Sequence, residues 1–171
     1  MTGAEAGATG GFEPATGAEV RPAGADGPGG AAASHEERAG AVRDAFEALL
    51  RIREVVNTSV VDPRAVPAEW ERVRMVRAIA LALQAAGVPP SAVDEHGERA
   101  ATGYLVTATE HPRVVRVEWP GPRGSGAGHE AESALRGCAR VLGGLGWVVL
   151  EYRGKGGRRY LEVEAPATVR R

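Results

Sequence analysis

The chain reads as an α+β protein: a disordered N-terminal tail, then two helices, then a ββαββ unit whose four strands form a mostly antiparallel sheet. Three observations predict this. Residues 1–33 hold 10 Ala, 9 Gly and 3 Pro with one large aromatic, Phe12. Residues 34–87 carry apolar side chains at three- and four-residue steps, the period of an amphipathic helix. From about residue 102 the period falls to two, with one helical interruption over 129–143. The expected division is a tail over 1–33 and a single α+β domain over 34–166. Within that domain, the helical pair takes 34–87 and the ββαββ unit takes 102–166.

The tail buries too little apolar area to offset the ordering of its backbone, about 1–2 kcal/mol per residue. It is expected to be disordered and dispensable for folding. Ser34 and Glu37 have the spacing of a capping box, and Val42, Phe46, Leu49, Ile52 or Arg53, and Val56 follow as one stripe, so a helix is expected over 35–57. Pro63 and Pro67 break the chain. Pro67 suits a first helical position, and Trp70, Val73, Val76, Ile79, Ala80 and Leu83 form the stripe of a second helix over 67–86. Gly87 and Pro89-Pro90 stop it. Residues 88–101 read as a loop.

Tyr104–Thr109 and Val114–Trp119 read as two strands of a hairpin around His111-Pro112. Ala131, Leu135, Cys138, Val141, Leu142 and Leu145 give the third helical stripe. Trp147–Tyr152 and Arg158–Glu164 are the last strands, joined by Gly154-Lys155-Gly156-Gly157, a hairpin signal. Alternation sets Val148, Leu150 and Tyr152 with Leu161 and Val163 under the third helix. It sets Trp147, Val149, Glu151 and Arg153 with Tyr160 and Glu162 on the other face. Trp70, Trp119 and Tyr152 are therefore expected in the core. Four strands about 4.8 Å apart leave room for about two helices on one face. The first two helices are then expected either as a hairpin at a sheet edge or with one helix crossing to the second face.

Lys+Arg is 21 and Asp+Glu 22, a net charge of -1. That balance excludes a uniformly basic nucleic-acid coat and an acidic solvating chain. The charge is uneven, with +4 in residues 101–171, -2 in 34–100 and -3 in the tail. Twenty of the 21 basic residues are Arg. With 31 Ala and 24 Gly, this is the coding bias of a GC-rich, actinobacterial-type genome. Cys138 is the single cysteine, so an internal disulfide framework and a Cys-based zinc site are excluded. It falls on the apolar stripe of its helix and is expected to be a buried, inert thiol. No apolar run approaches the roughly 18 residues of a membrane span. The N-terminus lacks a basic stretch followed by an apolar one. A cytoplasmic protein without a membrane partner is expected; the oligomeric state stays open.

The hairpin Arg153-Gly154-Lys155-Gly156-Gly157-Arg158-Arg159 sets four cations within seven residues. Arg153, Lys155, Arg158 and Arg159 are the candidate nucleic-acid contacts, through phosphates rather than bases. Between the second strand and the third helix lies Gly121-Pro122-Arg123-Gly124-Ser125-Gly126-Ala127-Gly128. Backbone N–H groups of such a loop at a helix start can cradle a phosphate. From Arg123 to Gly128 the string is similar to the R-G-x-G-x-G/A pyrophosphate loop of the N-acetyltransferase superfamily. The resemblance covers about 40 residues with the helix and strand that follow. It implies acetyl-coenzyme A held at Arg123, Gly124, Gly126 and Gly128. Glu130 and Glu132 at the helix start would repel a pyrophosphate, so the loop is expected to be a connector without a cofactor.

His35, His96, His111 and His129 lack metal-ligand spacing, and no metal site is expected. Asp94, Glu95, His96 and Glu98 cluster in a loop and have the composition for acid–base work, or for an ordinary polar loop. Arg72, Arg74 and Arg77, interleaved with Glu69 and Glu71, read as an exposed salt-bridged face. No residue set has the pattern of a catalytic site. The expected function is a non-catalytic interaction or regulatory module that contacts nucleic acid through the hairpin. The alternatives are a protein–protein adaptor using the mixed sheet face or the helical pair, and an acetyltransferase-like enzyme using the Gly-rich loop.

Overall fold

The computed structural model describes residues 12–21 and 30–167. The α+β class and the four-stranded antiparallel sheet are as expected. The element order departs from expectation before the sheet. Helix α1 spans Gly30–Val56. It begins ahead of Ser34, so Ser34 and Glu37 lie inside it rather than capping it. Val42, Leu49 and Leu50 are buried, and of the two candidates at the next step it is Arg53 that turns inward, while Ile52 is 41% exposed. A 3₁₀ turn follows at Pro63–Ala65, where the Asp62 carboxylate accepts from the Arg64 N–H.

The helix expected over 67–86 is two. Helix α2 covers Glu69–Val73 and α3 covers Met75–Ala85, with Arg74 between them at φ -119°, ψ 51°. The break lets the two halves bury different faces. Trp70 on α2 packs, half-buried, against the cluster of Val42, Leu49, Leu50 and Leu81. On α3, residues Ala78 to Leu83 are all buried. A helix apolar all round belongs between two layers, and α3 lies between α1 and the sheet. The crowding is thus resolved by a third layer: α3 and α4 pack on the sheet and α1 packs on α3.

Arg53 and Glu71, each 1% exposed, join these layers. Arg53 Nε and Nη2 donate to the two Glu71 carboxylate oxygens at 2.8 and 2.7 Å. Arg53 Nη1 donates to the carbonyls of Arg64 and Leu145. Glu71 also accepts from the Ala68 N–H at 2.8 Å. Glu71 is therefore a core residue, not part of an exposed charged face. Arg72 and Arg77 reach instead to the carbonyls of Pro166 and Phe12.

The segment expected as a loop holds a small antiparallel ribbon, β1 (Ala92–Val93) and β2 (Arg99–Ala101). The Asp94–Glu98 cluster is its turn. Asp94 Oδ1 accepts from the His96 and Glu98 N–H groups. The main elements are β3 (Leu105–Ala108), β4 (Val114–Glu118), α4 (Ala127–Gly144), β5 (Val148–Arg153) and β6 (Arg159–Glu164). The sheet order is β3-β4-β6-β5, every pair antiparallel. Strands β4 and β5 therefore run parallel with β6 between them, and α4 is the crossover that joins them.

The facing of β5 is one residue out of step with expectation. Directly paired residues share a face, and Val149 pairs with Val163, Tyr152 with Tyr160. Val163 and Leu161 are fully buried under α4, so Val149 and Glu151 lie on that side, and Val148, Leu150 and Tyr152 lie on the open side, each about 40% exposed. Trp147, placed on the outer face by alternation, is 4% exposed in the core. Trp119 is half-buried against the main cluster. That cluster joins Ile79, Leu83, Tyr104, Val115, Val117, Leu135, Cys138, Leu142, Trp147, Leu161 and Val163.

Residues 12–21, assigned by composition to a disordered tail, form an ordered strap along the domain. Residues 1–11 and 22–29 of that expected tail lie outside the described residues, as do Arg170 and Arg171. The strap covers the outer edge of β3: the Val106 N–H donates to the Thr16 carbonyl at 2.8 Å. The buried Tyr104 hydroxyl donates to the carbonyls of Ala15 (2.6 Å) and Ala80 (3.3 Å). Burial pushes its phenol well above the ordinary range, so it stays protonated as a donor. Gly17 sits at φ +94°, and a Cβ there would stand 2.1 Å from the Tyr104 carbonyl oxygen; only glycine fits so close to β3.

Glu19 orders the strap's own turn. Burial disfavours its charge, but hydrogen bonds from the Thr16 N–H and hydroxyl and the Gly17 N–H outweigh it and lower the carboxyl pKa. With the folded value depressed, this contribution is complete above the unfolded carboxylate pKa and is lost as pH falls through the folded one. Tyr104→Phe leaves two buried carbonyls without that donor and is expected to cost about 1–3 kcal/mol in urea unfolding. A neutral result would mean that the strap does not dock.

Candidate interaction surface

Helices cover one face of the sheet and leave the other bare. Thr107, Arg116, Glu162 and Leu150 stand in a row across that open face, each paired with the next. Tyr152 and Tyr160 stack at 5.6 Å between ring centroids. The Arg116 guanidinium lies 4.2 Å over the Tyr160 ring and meets Glu162 at 3.4 Å. Its Nε is buried with no acceptor among the described residues. A shallow depression of about 600 Å3 lies here, lined by Thr107, Arg116, Glu118, Glu162 and the β3–β4 turn. This surface combines an aromatic pair, a planar cation with spare donors, and exposed Val148 and Leu150. A second group of exposed aliphatics, Ile52, Val55, Val56, Val60 and Val61, lies at the end of α1.

The basic hairpin is divided by its own geometry. Arg159 is 20% exposed and is held by Glu151 at 2.7 Å and Glu132 at 2.9 Å. It thereby ties β5 and β6 to α4, and Glu132 also meets Arg136. Arg153, Lys155 and Arg158 are exposed at the tip. The tip turns through a 3₁₀ step at Lys155–Gly157.

The Gly-rich loop and the hairpin tip face one cleft of about 750 Å3. Gly124, Gly126 and Gly128 line it, with Arg99, Glu118, His129, Arg158 and Arg159; Arg123 does not. Gly126 is the α4 N-cap at φ +78° and offers no side-chain cap, so the glycine sets the left-handed turn into the helix. The Ala127 N–H reaches Ser125 Oγ at 3.4 Å, a weak cap. Trp119 also lines the cleft, its indole N–H buried without an acceptor among the described residues. Sequence reasoning placed the loop and the hairpin in separate roles. Their convergence depends on β6 inserting between β4 and β5, which no local pattern encodes.

The remaining candidates have structural places. Cys138 is fully buried, and burial pushes its thiol up to about 11, far from a reactive thiolate. The four histidines are exposed. Among the described residues no three His, Cys, Asp or Glu side chains gather as metal ligands. No described helix is long and apolar enough to cross a membrane. Compared with protein-family models, with curated proteins and with solved structures, the chain matches none.

Proposed function

We propose that this chain is a non-catalytic interaction module that binds a protein partner on the open face of its sheet. The observation that carries the reading is Arg116. It is stacked on Tyr160 with a buried Nε that has no acceptor among the described residues, in a depression lined by Thr107, Glu118 and Glu162. The outer N–H groups of this guanidinium can donate to a carbonyl oxygen of a partner, a neutral acceptor that the neighbouring Glu118 and Glu162 carboxylates do not repel. Removing the aliphatic and aromatic surface around it from water supplies the non-specific part of the binding energy.

Nucleic-acid contact through the hairpin is the second reading, favoured by the exposure of Arg153, Lys155 and Arg158. Arg159 is engaged by two carboxylates, so about three phosphates can be neutralised, and the expected log–log salt slope is near -3 on duplex DNA. Glu118, Glu162 and Glu164 on the open face oppose extension of a polyanion across the sheet. The acetyltransferase-like reading has less support, because β6 separates the two strands that flank the Gly-rich loop and α4.

A photo-crosslinking residue at position 107, beside the depression, is expected to give protein-sized adducts in cells. The same residue at position 140, on the exposed side of α4, is expected to give none. The adducts are expected to survive nuclease digestion. Equal labelling from both positions, or adducts that vanish with nuclease, would overturn the protein-partner reading; the nuclease outcome would favour the hairpin.

A further inference from the structure

The two edges of the main sheet are treated differently. The outer edge of β3 is closed by the chain itself: Tyr104 bonds to Pro89 and Ser91, and Val106 to Thr16. The outer edge of β5 has no such cover among the described residues. It runs six residues in unbroken register with β6, without a proline, a bulge or a lysine. Its open-face side chains, Val148, Leu150 and Tyr152, are each about 40% exposed. Natural sheets protect an edge of this kind or use it.

We infer that β5 pairs antiparallel with β5 of a second copy of this chain, so that two four-stranded sheets join into one of eight. The β5 backbone edge is separate from the Arg116 depression, although both border the same face.

The backbone parity is fixed by the hairpin. The Gly154 N–H donates to the Arg158 carbonyl at 2.7 Å, and Arg153 pairs with Arg159. Hydrogen-bonded positions alternate along an antiparallel strand. Val148, Leu150 and Tyr152 therefore turn their backbone groups toward β6, whereas Val149, Glu151 and Arg153 turn theirs toward the free edge. A twofold axis perpendicular to the sheet keeps the open faces of both copies on one side.

Four registers are then close. With the axis at Val149, only residues 147–151 find partners and the ladder shortens. With the axis at Glu151, that carboxylate faces its own copy, which is repulsive. With the axis at Tyr152, Val148 falls opposite the tight turn and the ladder shortens. With the axis at Leu150, residues 147–153 all find partners. Leu150 meets Leu150, Val148 meets Tyr152 and Val149 meets Glu151, with no like charges opposed. This register also carries the cationic tip, with Arg153 and Lys155, past Trp147 of the second copy toward the end of its α4. The last turn of α4 has no basic residue of its own, and cations are favourable at a helix C-terminus.

In this arrangement the Leu150 pair is the non-hydrogen-bonded kind, with Cα atoms about 4.5 Å apart, within disulfide reach. Leu150→Cys is expected to give a disulfide-linked dimer under mild oxidation. Glu162→Cys, one strand inward on the same face, is expected to give none, since its copies would be about 14 Å apart. The native Cys138 is fully buried and does not compete. Sedimentation of the full chain is expected to show a dimer. Leu150→Lys, which sets two ammonium groups at the axis, is expected to weaken it about tenfold or more, with the unfolding midpoint unchanged at dilutions where both proteins are monomeric.

A wild-type monomer at sub-millimolar concentration overturns the inference. So does a dimer that Leu150→Lys leaves intact and Leu150→Cys fails to link. Either result leaves the depression untouched, which position 107 tests separately at the opposite edge of the same face.

Discussion

Glu71→Ala is expected to cost about 3–5 kcal/mol of folding stability. Both ends of the Arg53–Glu71 pair are 1% exposed. Truncating the carboxylate leaves a guanidinium in the core with only the Arg64 and Leu145 carbonyls, and an unpaired buried charge carries a penalty of this order. It also strips the acceptor from the Ala68 N–H. Glu71→Gln keeps the shape and one acceptor and is expected to lose less. Replacing both residues by Met removes the charge problem altogether and is expected to be far milder than Arg53→Met or Glu71→Met alone. Urea unfolding of these two single variants and the double one checks this. Additive losses would mean that the two groups do not act as a pair.

Trp147→Ala is expected to cost about 3–5 kcal/mol, as a large buried side chain that leaves a cavity. Tyr152→Ala, a few residues along the same strand, is expected to cost about 1 kcal/mol or less: its ring is 39% exposed and its main loss is the stack on Tyr160, worth about 0.5–1.5 kcal/mol where buried. The contrast is the reverse of what the alternation of β5 predicts. Equal losses at the two positions would place β5 in the other register against α4.

The residues that were legible are those whose local pattern has a single solution. Tyr160-Leu161-Glu162-Val163-Glu164 alternates cleanly, and its facing is as read. Val148-Val149-Leu150 has three aliphatics in a row, so only pairing with β6 decides which one is buried. The third helix reads correctly because Leu135, Cys138 and Leu142 repeat at helical spacing. The second breaks at Arg74 because Trp70 and Ile79 serve different clusters, a tertiary demand with no proline or glycine to announce it.

Arg53 on an apolar stripe and Glu71 among arginines look like surface residues until their partners are known. The strap was missed because composition measures the apolar area a segment carries, not the hydrogen bonds that a neighbouring strand edge offers it. At the candidate surface, the four hairpin cations were legible as a group, but the removal of Arg159 into an ion network depends on Glu132 across the sheet. Arg116, central to the proposed site, carried no signal beyond its place in a strand.

The strap also gives the chain a direction in time. Ala15 bonds to Tyr104, 89 residues later, and the Gly17 carbonyl to Arg99, 82 residues later. At about 5–20 residues per second, residues 12–21 wait on the order of ten seconds during synthesis for their partners. They are nevertheless free of the ribosome before β3 appears, so β3 has a neighbour on its outer side from the moment it forms. The opposite edge, β5, is made later than β3 and has no comparable cover among the described residues. An N-terminal fusion that holds residues 12–21 back would strip that early protection and leave growing chains with two bare edges, a state prone to aggregation. A C-terminal fusion would leave the order of events intact.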